Sequence, residues 1–254
     1  VFYKELIFIL EINKIYNMDC LDGMDLMIGQ GLKVDAIITD PPYGTTACKW
    51  DTIIPFTDMW LRLKKLRKEN SPILLFGIEP FSSYLRISNI KEYKYDWTWI
   101  KNQATNHLHA KHMPMRKTEN ISVFFKKSSW YNPQKTTNHI PTNSAKGCSN
   151  GVIYHGENKR NYKGGDTTRM PLNIQYFKCV DNYSKLHPNE KPVSLIEYLI
   201  TTHTNENDLI LDFTIGSGTT AIACINTNRN YIGFELDENY YKIANERIKN
   251  HLVE

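Results

Sequence analysis

No apolar run in this 254-residue chain approaches the roughly 20 residues a membrane-spanning helix needs. The most apolar opening, LIFIL at 6–10, is bracketed by Glu5 and Glu11 and followed by no small-residue cleavage site. It reads as a packed N-terminal segment and not as a secretion signal. Cysteine is scarce and unpaired in pattern: five, an odd number, are scattered along the chain with no C-x-x-C. That spacing excludes a disulfide framework and a cysteine-bound zinc. Of eight histidines, only His107, His109 and His112 lie close together, without a carboxylate or cysteine beside them, so no metal is expected. Internal repeats are missing too, and with 41% hydrophobic and 23% charged residues the composition is that of a globular protein.

Net charge is a mild +4, unevenly placed. Residues 101–186 hold 14 Lys and Arg against 4 Asp and Glu, a local balance of +10, which leaves the remainder at −6. A solvated surface loop and a polyanion-binding insert both fit this segment, since Lys and Arg on phosphates supply sequence-independent affinity. Charge alone does not separate them.

The two ends of the chain alternate between strand and helix patterns. Strands are expected at 14–19, 34–40, 73–77, 93–100, 121–126, 209–213 and 231–235. Helices are expected at 21–29, 56–68, 80–88, 192–202, 218–226 and from Glu238 onward, with Asp237 as cap and Tyr241, Ala244 and Ile248 as inward stripe. From 128 to 186 periodicity fades into Asn, Thr, Gly, Tyr and Lys, a stretch read as long loops.

Two motifs carry chemistry. At 211–220, LDFTIGSGTT is a strand feeding a glycine turn and then a helix, which exposes bare backbone N–H groups to a ligand. Glu235 follows at the end of the next strand, where a carboxylate accepts from two ribose hydroxyls. Gly216, Gly218 and Ala221 also satisfy G-x-G-x-x-G/A, so a nicotinamide or flavin oxidoreductase stays open at this point. Too little chain follows Gly218 for the rest of a dinucleotide sheet, so the N-terminal strands are expected to complete it. The second motif, Asp40-Pro41-Pro42-Tyr43, directly follows VDAIITD; the prolines make a rigid turn at a strand's carboxyl end. An exocyclic base amine is a poor nucleophile because its lone pair is delocalised. The Asp40 carboxylate and the Pro41 carbonyl can accept its two hydrogens and stabilise the positive charge that develops, while Tyr43 offers a flat face to a base taken out of the stack.

Together these stretches resemble the amino-methylating (N6-adenine/N4-cytosine) DNA methyltransferases whose target-amine motif precedes the cofactor motif. DPPY at 40–43 looks like their catalytic motif and DFTIGSGTT at 212–220 like their cofactor loop. HPNEKP at 187–192 resembles their H-P-x-x-K-P, and NMDC at 17–20 their adenine-contacting strand end. The likeness runs from about residue 13 to 248, weakest in the basic insert. It implies a three-layer Rossmann-like α/β fold, circularly permuted, with 1–127 catalytic, 128–186 a target-recognition insert and 187–254 cofactor-binding. It implies S-adenosylmethionine as cofactor, with Asp19 and Cys20 at its adenine and Glu235 at its ribose. Phe213, Gly216, Gly218 and Thr219 are then expected at the methionine part, Asp212, Ser217 and Thr220 as further cofactor-binding residues, and Lys191 and Pro192 lining the same cavity. The loop departs from the family's frequent D-P-F, because Phe213 follows Asp212 directly.

Adenine N6 is the expected target, with cytosine N4 as the nearest alternative. RNA or protein amide methylation, and a DNA-binding protein without catalysis, are more distant ones. Lys111, Arg116 and Lys117 are the first candidates for phosphate contacts within a 101–117 stretch expected to track the backbone, ahead of Arg160, Lys163 and Arg169. Trp50 and Asp51 form either a lid over the base or simple packing. Duplex DNA with a flipped base is the expected partner, and the resemblance allows a homodimer and a cognate restriction nuclease. The expected location is the bacterial cytoplasm at the nucleoid, from a bacterial or phage gene.

Overall fold

The strand sequences AIIT and ILLFG are buried at every position because helices cover both faces of the sheet they enter. The computed structural model describes residues 8–46, 48, 51–149, 158–181 and 183–253, with the backbone alone at 145–149 and 158–162. In chain order the main unit contains β1 (Lys14–Asn17), α1 (Cys20–Gly29), β2 (Ala36–Thr39), α2 (Phe56–Leu66), β3 (Ile73–Gly77), α3 (Phe81–Ser88), β4 (Tyr93–Thr105) and β5 (Arg116–Phe124). Within 133–172 lie β6 (Ala145–Ser149) and β7 (Asn158–Tyr162). The main unit resumes with β8 (Ile174–Tyr176), α4 (Val193–His203), β9 (Leu209–Asp212), α5 (Thr219–Asn226), β10 (Asn230–Glu235) and α6 (Glu238–His251).

The main sheet runs β1-β10-β9-β2-β3-β5-β4-β8. Its first five strands are parallel, β5 is antiparallel to both β3 and β4, and β8 adds in parallel to β4. The C-terminal strands β9 and β10 thus sit between the N-terminal β1 and β2, the permuted closure expected from the motif order. Alternation along each strand sorts the core. Ala36, Ile38, Leu74, Phe76 and Ile210 face α4 and α5 through Leu195, Leu199 and Ile222. Ile37, Ile73, Leu75, Leu211 and Phe213 face α1, α2 and α3 through Met24, Met27, Leu63 and Leu85. Each such fully buried side chain is worth about 1.5–3 kcal/mol of removed apolar surface.

Asp19 caps α1 by accepting from Leu21 N at 2.8 Å, and Asp237 caps α6 by accepting from Asn239 N at 2.8 Å. Ala244 and Ile248 are buried along α6, and Tyr241 packs partly against them. The expected strands 93–100 and 121–126 are longer and earlier in the structure: β4 runs on to Thr105, and β5 begins at Arg116. Their polar ends hid them, because residues such as Lys101, Thr118 and Glu119 break the apolar alternation. The 128–186 stretch, expected as loops, supplies three short strands. β6 and β7 pair antiparallel in the separate 133–172 unit, where Thr136 also bridges Arg169, while β8 extends the main sheet. Their sequences are too polar for a periodicity signal. No helix among the described residues is long and apolar enough to cross a membrane.

Candidate active site

β2 and β9 end side by side at the centre of the sheet, and beyond them their chains diverge, the point where open α/β sheets place their ligands. Pro41 and Pro42 end β2 and turn the chain out. The turn is held from below by Asp51, whose Oδ1 accepts from the backbone N–H of Tyr43 (2.7 Å) and Gly44 (2.8 Å). Its Oδ2 accepts from Thr45 (2.8 Å) and Thr46 (2.7 Å). Burial pushes the Asp51 carboxyl up, but hydrogen bonds from the Thr46 side chain and from the backbone of Gly44, Thr46 and Thr45 outweigh it and hold it below the ordinary carboxylate value. Of the two readings for Asp51, lid or simple packing, the described geometry adds a third role: it lines the cavity and is a four-handed backbone clamp. Trp50 lies outside the described residues.

The glycine loop answers from β9. Gly216 (φ +56°) and Gly218 (φ +82°) take the left-handed backbone that side chains disfavour. Gly216 N donates to Glu235 Oε2 at 2.9 Å, and Asp237 N donates to Oε1 at 2.8 Å, so Glu235 sits under the loop with its remaining lone pairs toward the cavity side. Burial raises its carboxyl above the usual value. Asp212 is buried beneath, accepting from Thr39 Oγ1, from Thr220 Oγ1 (2.6 Å) and from Thr214 N (3.2 Å). Burial pushes its carboxyl up to about 6 despite those bonds. Thr214 Oγ1 donates to the Asp40 carbonyl at 3.1 Å, tying one motif to the other.

The segment before α4 closes the ring. Arg247 pairs with Glu190 at 2.9 Å and donates to Ser217 O and Thr219 Oγ1, each at 3.2 Å, which fixes HPNEKP against the glycine loop. His187 packs its ring 4.2 Å from Tyr240, and its Nδ1 accepts from Asn189 N. Burial, then the nearby Lys191 ammonium, lowers the imidazole to about 4, so it is neutral at physiological pH. Lys191 reaches across to Asp40 Oδ2 at 2.6 Å and to Glu119 Oε1 at 2.9 Å. Glu119 Oε2 in turn pairs with Lys101 at 2.5 Å. The Tyr43 hydroxyl faces both Asp40 and Glu119 and can donate to either.

One cavity of about 360 Å³, the size of a small-molecule site, unites these groups. Asp19, Cys20, Asp40, Pro41, Pro42, Tyr43, Lys191, Asp212, Phe213, Gly216, Ser217, Thr219, Thr220 and Glu235 all line it. Two expected residues do not. Gly218 instead opens α5, where a Cβ would come within 3.1 Å of Ala244 Cβ, and Pro192 is the N-cap of α4. Phe213 lines the cavity, but its side chain is fully buried in the α1–α3 core. Tyr43 is not the open platform expected: its ring packs 5.0 Å from Phe81, with the Lys191 ammonium 5.9 Å from its centroid.

Reading by motif missed Glu119, Asp51's clamp and Lys101's place. Lys101 was expected to track phosphates with the rest of 101–117, yet its side chain is only 13% exposed and engaged by Glu119. A signal was available. On β4 Trp97, Trp99 and Lys101 share one face, and on β5 so do Glu119, Ile121 and Val123, which puts opposite charges at adjacent inward positions. Lys111 and Lys117 are exposed, and Arg116 is half-buried, donating to the Glu79 carbonyl at 3.2 Å. In the separate unit Lys163 is exposed and Arg169 is tied to the carbonyls of Ile140, Asp166 and Thr168, while Arg160 is described in its backbone alone.

A DNA methylase family model matches residues 34–246, most of the chain. The chain belongs to this family of amino-methylating DNA methylases. The Type II methyltransferase M1.MboII of Moraxella bovis is 30% identical to it over 93% of this chain and 96% of its own length. M.HpaI of Haemophilus parainfluenzae is 26% identical over 85% of this chain and 68% of its own. Among solved structures, the M1.HpyAVI–SAM complex is similar at 27% identity, with a TM-score of 0.65 and coverage of 92% and 98%. The cytosine-N4-specific PvuII DNA methyltransferase, at 15% identity and a TM-score of 0.63, shares the methylase's fold. The oxidoreductase alternative thereby falls, and the sheet completed by N-terminal strands is the physical reason that the glycine pattern misled.

Proposed function

We propose that this methylase transfers the methyl group of S-adenosylmethionine to the N6 amine of adenine in duplex DNA, with the target base turned out of the helix. The observation that carries it is the meeting of Asp40 and the Gly216–Glu235 loop in one cavity, bridged by the Thr214–Asp40 hydrogen bond. The cavity suits the cofactor: a carboxylate (Glu235) for ribose hydroxyls, a loop bare of side chains at Gly216, and Asp19 with Cys20 at the adenine end. Bound there, S-adenosylmethionine supplies a methyl already activated on a sulfonium.

The protein's own residues do the rest. Asp40 and the Pro41 carbonyl accept the two amine hydrogens, drawing the lone pair out of the ring and stabilising the positive charge that grows on nitrogen. Pro41 and Pro42 hold that carbonyl's direction, and Asp51 holds the turn, so alignment is set before the base arrives. Ser217, Thr219 and Thr220 border the methionine end, and Lys191 anchors Asp40. The 128–186 insert, which contains the separate 133–172 unit, recognises the target sequence, and Lys111, Arg116 and Lys117 meet phosphates. The adenine choice rests on the Asp that opens the motif. A homodimer and a cognate restriction nuclease are the partners this reading allows.

Asp40→Ala is expected to abolish methylation, a fall of at least a thousandfold or about 4 kcal/mol, while S-adenosylmethionine affinity stays within twofold. Mass spectrometry of nucleosides from treated DNA should show N6-methyladenine. N4-methylcytosine would overturn the base assignment, and retained turnover in Asp40→Ala would overturn the role.

A further inference from the structure

Asp40, Tyr43 and Lys191 line the cavity, and behind them Glu119 and Lys101 extend the same chain of charges into the protein. Asp40 holds Lys191 at 2.6 Å, Lys191 holds Glu119 at 2.9 Å, and Glu119 holds Lys101 at 2.5 Å. The Glu119 side chain is 4% exposed, against 23% for Asp40, so it does not itself meet a substrate in this arrangement. A single buried Lys–Asp pair would suffice to neutralise Asp40. The structure instead spends a second buried pair, and that needs a reason.

We propose that Glu119 is a positioning residue for methyl transfer: by sharing Lys191 and the Tyr43 hydroxyl with Asp40, it keeps the Asp40 carboxylate fixed toward the cavity and a stronger hydrogen acceptor than Lys191 alone would leave it. This rests on the role given to Asp40 above. In the step itself the amine lone pair forms the N–C bond, and the C–S pair returns to sulfur as a neutral thioether. The surplus proton on nitrogen passes to Asp40 and then to solvent. An acceptor locked wholly onto an ammonium is a weak one. Drawing Lys191 partly away with a second carboxylate restores its strength, and Lys101 prevents that second carboxylate from taking Lys191 completely.

Among the described residues, the titratable groups in this balance are Tyr43 on Asp40's own turn, Lys191 from the segment before α4, Glu119 from β5 with Lys101 behind it on β4, and Asp212 on β9, while His187, neutral, lies beside Lys191. Burial, opposed by Lys191 and reinforced by Glu119, places Asp40 above the ordinary carboxylate range, which agrees with the geometry.

The test is a pair of shape-preserving variants whose effects run in opposite directions. Glu119→Gln hands Lys191 to Asp40, so kcat should fall about 10- to 100-fold, its acidic limb should move to lower pH, and Glu119→Asp should restore part of the rate. Lys101→Met frees Glu119 to pull Lys191, so the acidic limb should move to higher pH. In both, the KM for S-adenosylmethionine should stay within about threefold, a split that loss of folding would not produce. Acidic limbs that coincide with wild type in both variants, or move the same way, overturn the proposal; if Glu119→Gln does not fold, the direction in Lys101→Met decides alone. Asp40→Ala assayed in parallel separates the two readings: turnover there defeats the role of Asp40, whereas a dead Asp40→Ala beside unmoved limbs defeats only Glu119.

Discussion

Asp51 converts one carboxylate into four backbone hydrogen bonds, which is an efficient way to make a proline turn rigid. The strength of each comes from the negative charge, and truncation removes all four together. Asp51→Ala should therefore cost on the order of 2–3 kcal/mol in thermal or urea unfolding and lower kcat by loosening the Asp40–Tyr43 turn. Its pH dependence has a definite sign. The folded carboxyl lies below its unfolded value near 3.8, so the stabilisation is fully present above that value and fades as pH falls through the lower, folded one. Wild type and Asp51→Asn should thus differ in stability at neutral pH and converge in strong acid. A gap that persists unchanged into strong acid would count against the clamp.

At the scale of elements, the passage from β9 to α5 depends on Gly218. Its φ of +82° opens the helix, and α6 crosses so closely that a Cβ would meet Ala244 at 3.1 Å. Gly218→Ala therefore combines left-handed strain of about 1–2 kcal/mol with pressure on α6. Calorimetry should show lower stability and weaker S-adenosylmethionine binding, although Gly218 does not line the cavity. Unaltered cofactor affinity would mean that the loop is insensitive to how α5 is seated. The same scale explains the failures of pattern reading on β4 and β5. Periodicity registers apolar residues alone, and both strands carry charges at inward positions where a network satisfies them.

For the whole molecule, charge separation is the dominant feature: a +10 segment at 101–186 on a chain otherwise at −6. If exposed Lys111 and Lys117 meet phosphates, replacing either with Ala should lower the slope of log affinity against log salt by ~0.9 for each phosphate no longer neutralised. Fluorescence anisotropy with duplex DNA across about 50–200 mM salt reads this directly. A slope equal to wild type would leave these lysines as ordinary solvated charges. Lys101 should not behave this way, because it is already neutralised by Glu119.

The order of its motifs implied the permuted sheet by resemblance, while the chain by itself determined the strand and helix order of its two ends and the two motifs of the cavity. Those properties are written in local periodicity and in residue types that few other turns tolerate. It also named the chemically distinctive part of the cavity wall, since DPPY, the glycine loop, Lys191 and Glu235 each carry their chemistry in their own neighbourhood. Only the tertiary structure decided that Glu119 and Lys101 join Asp40, that Asp51 grips the turn, and that Gly218 serves packing. The physical reason is that these roles are pairings between residues up to 151 positions apart, as in Lys191 with Asp40. A charge buried against such a partner looks, along the chain, the same as a charge left in water.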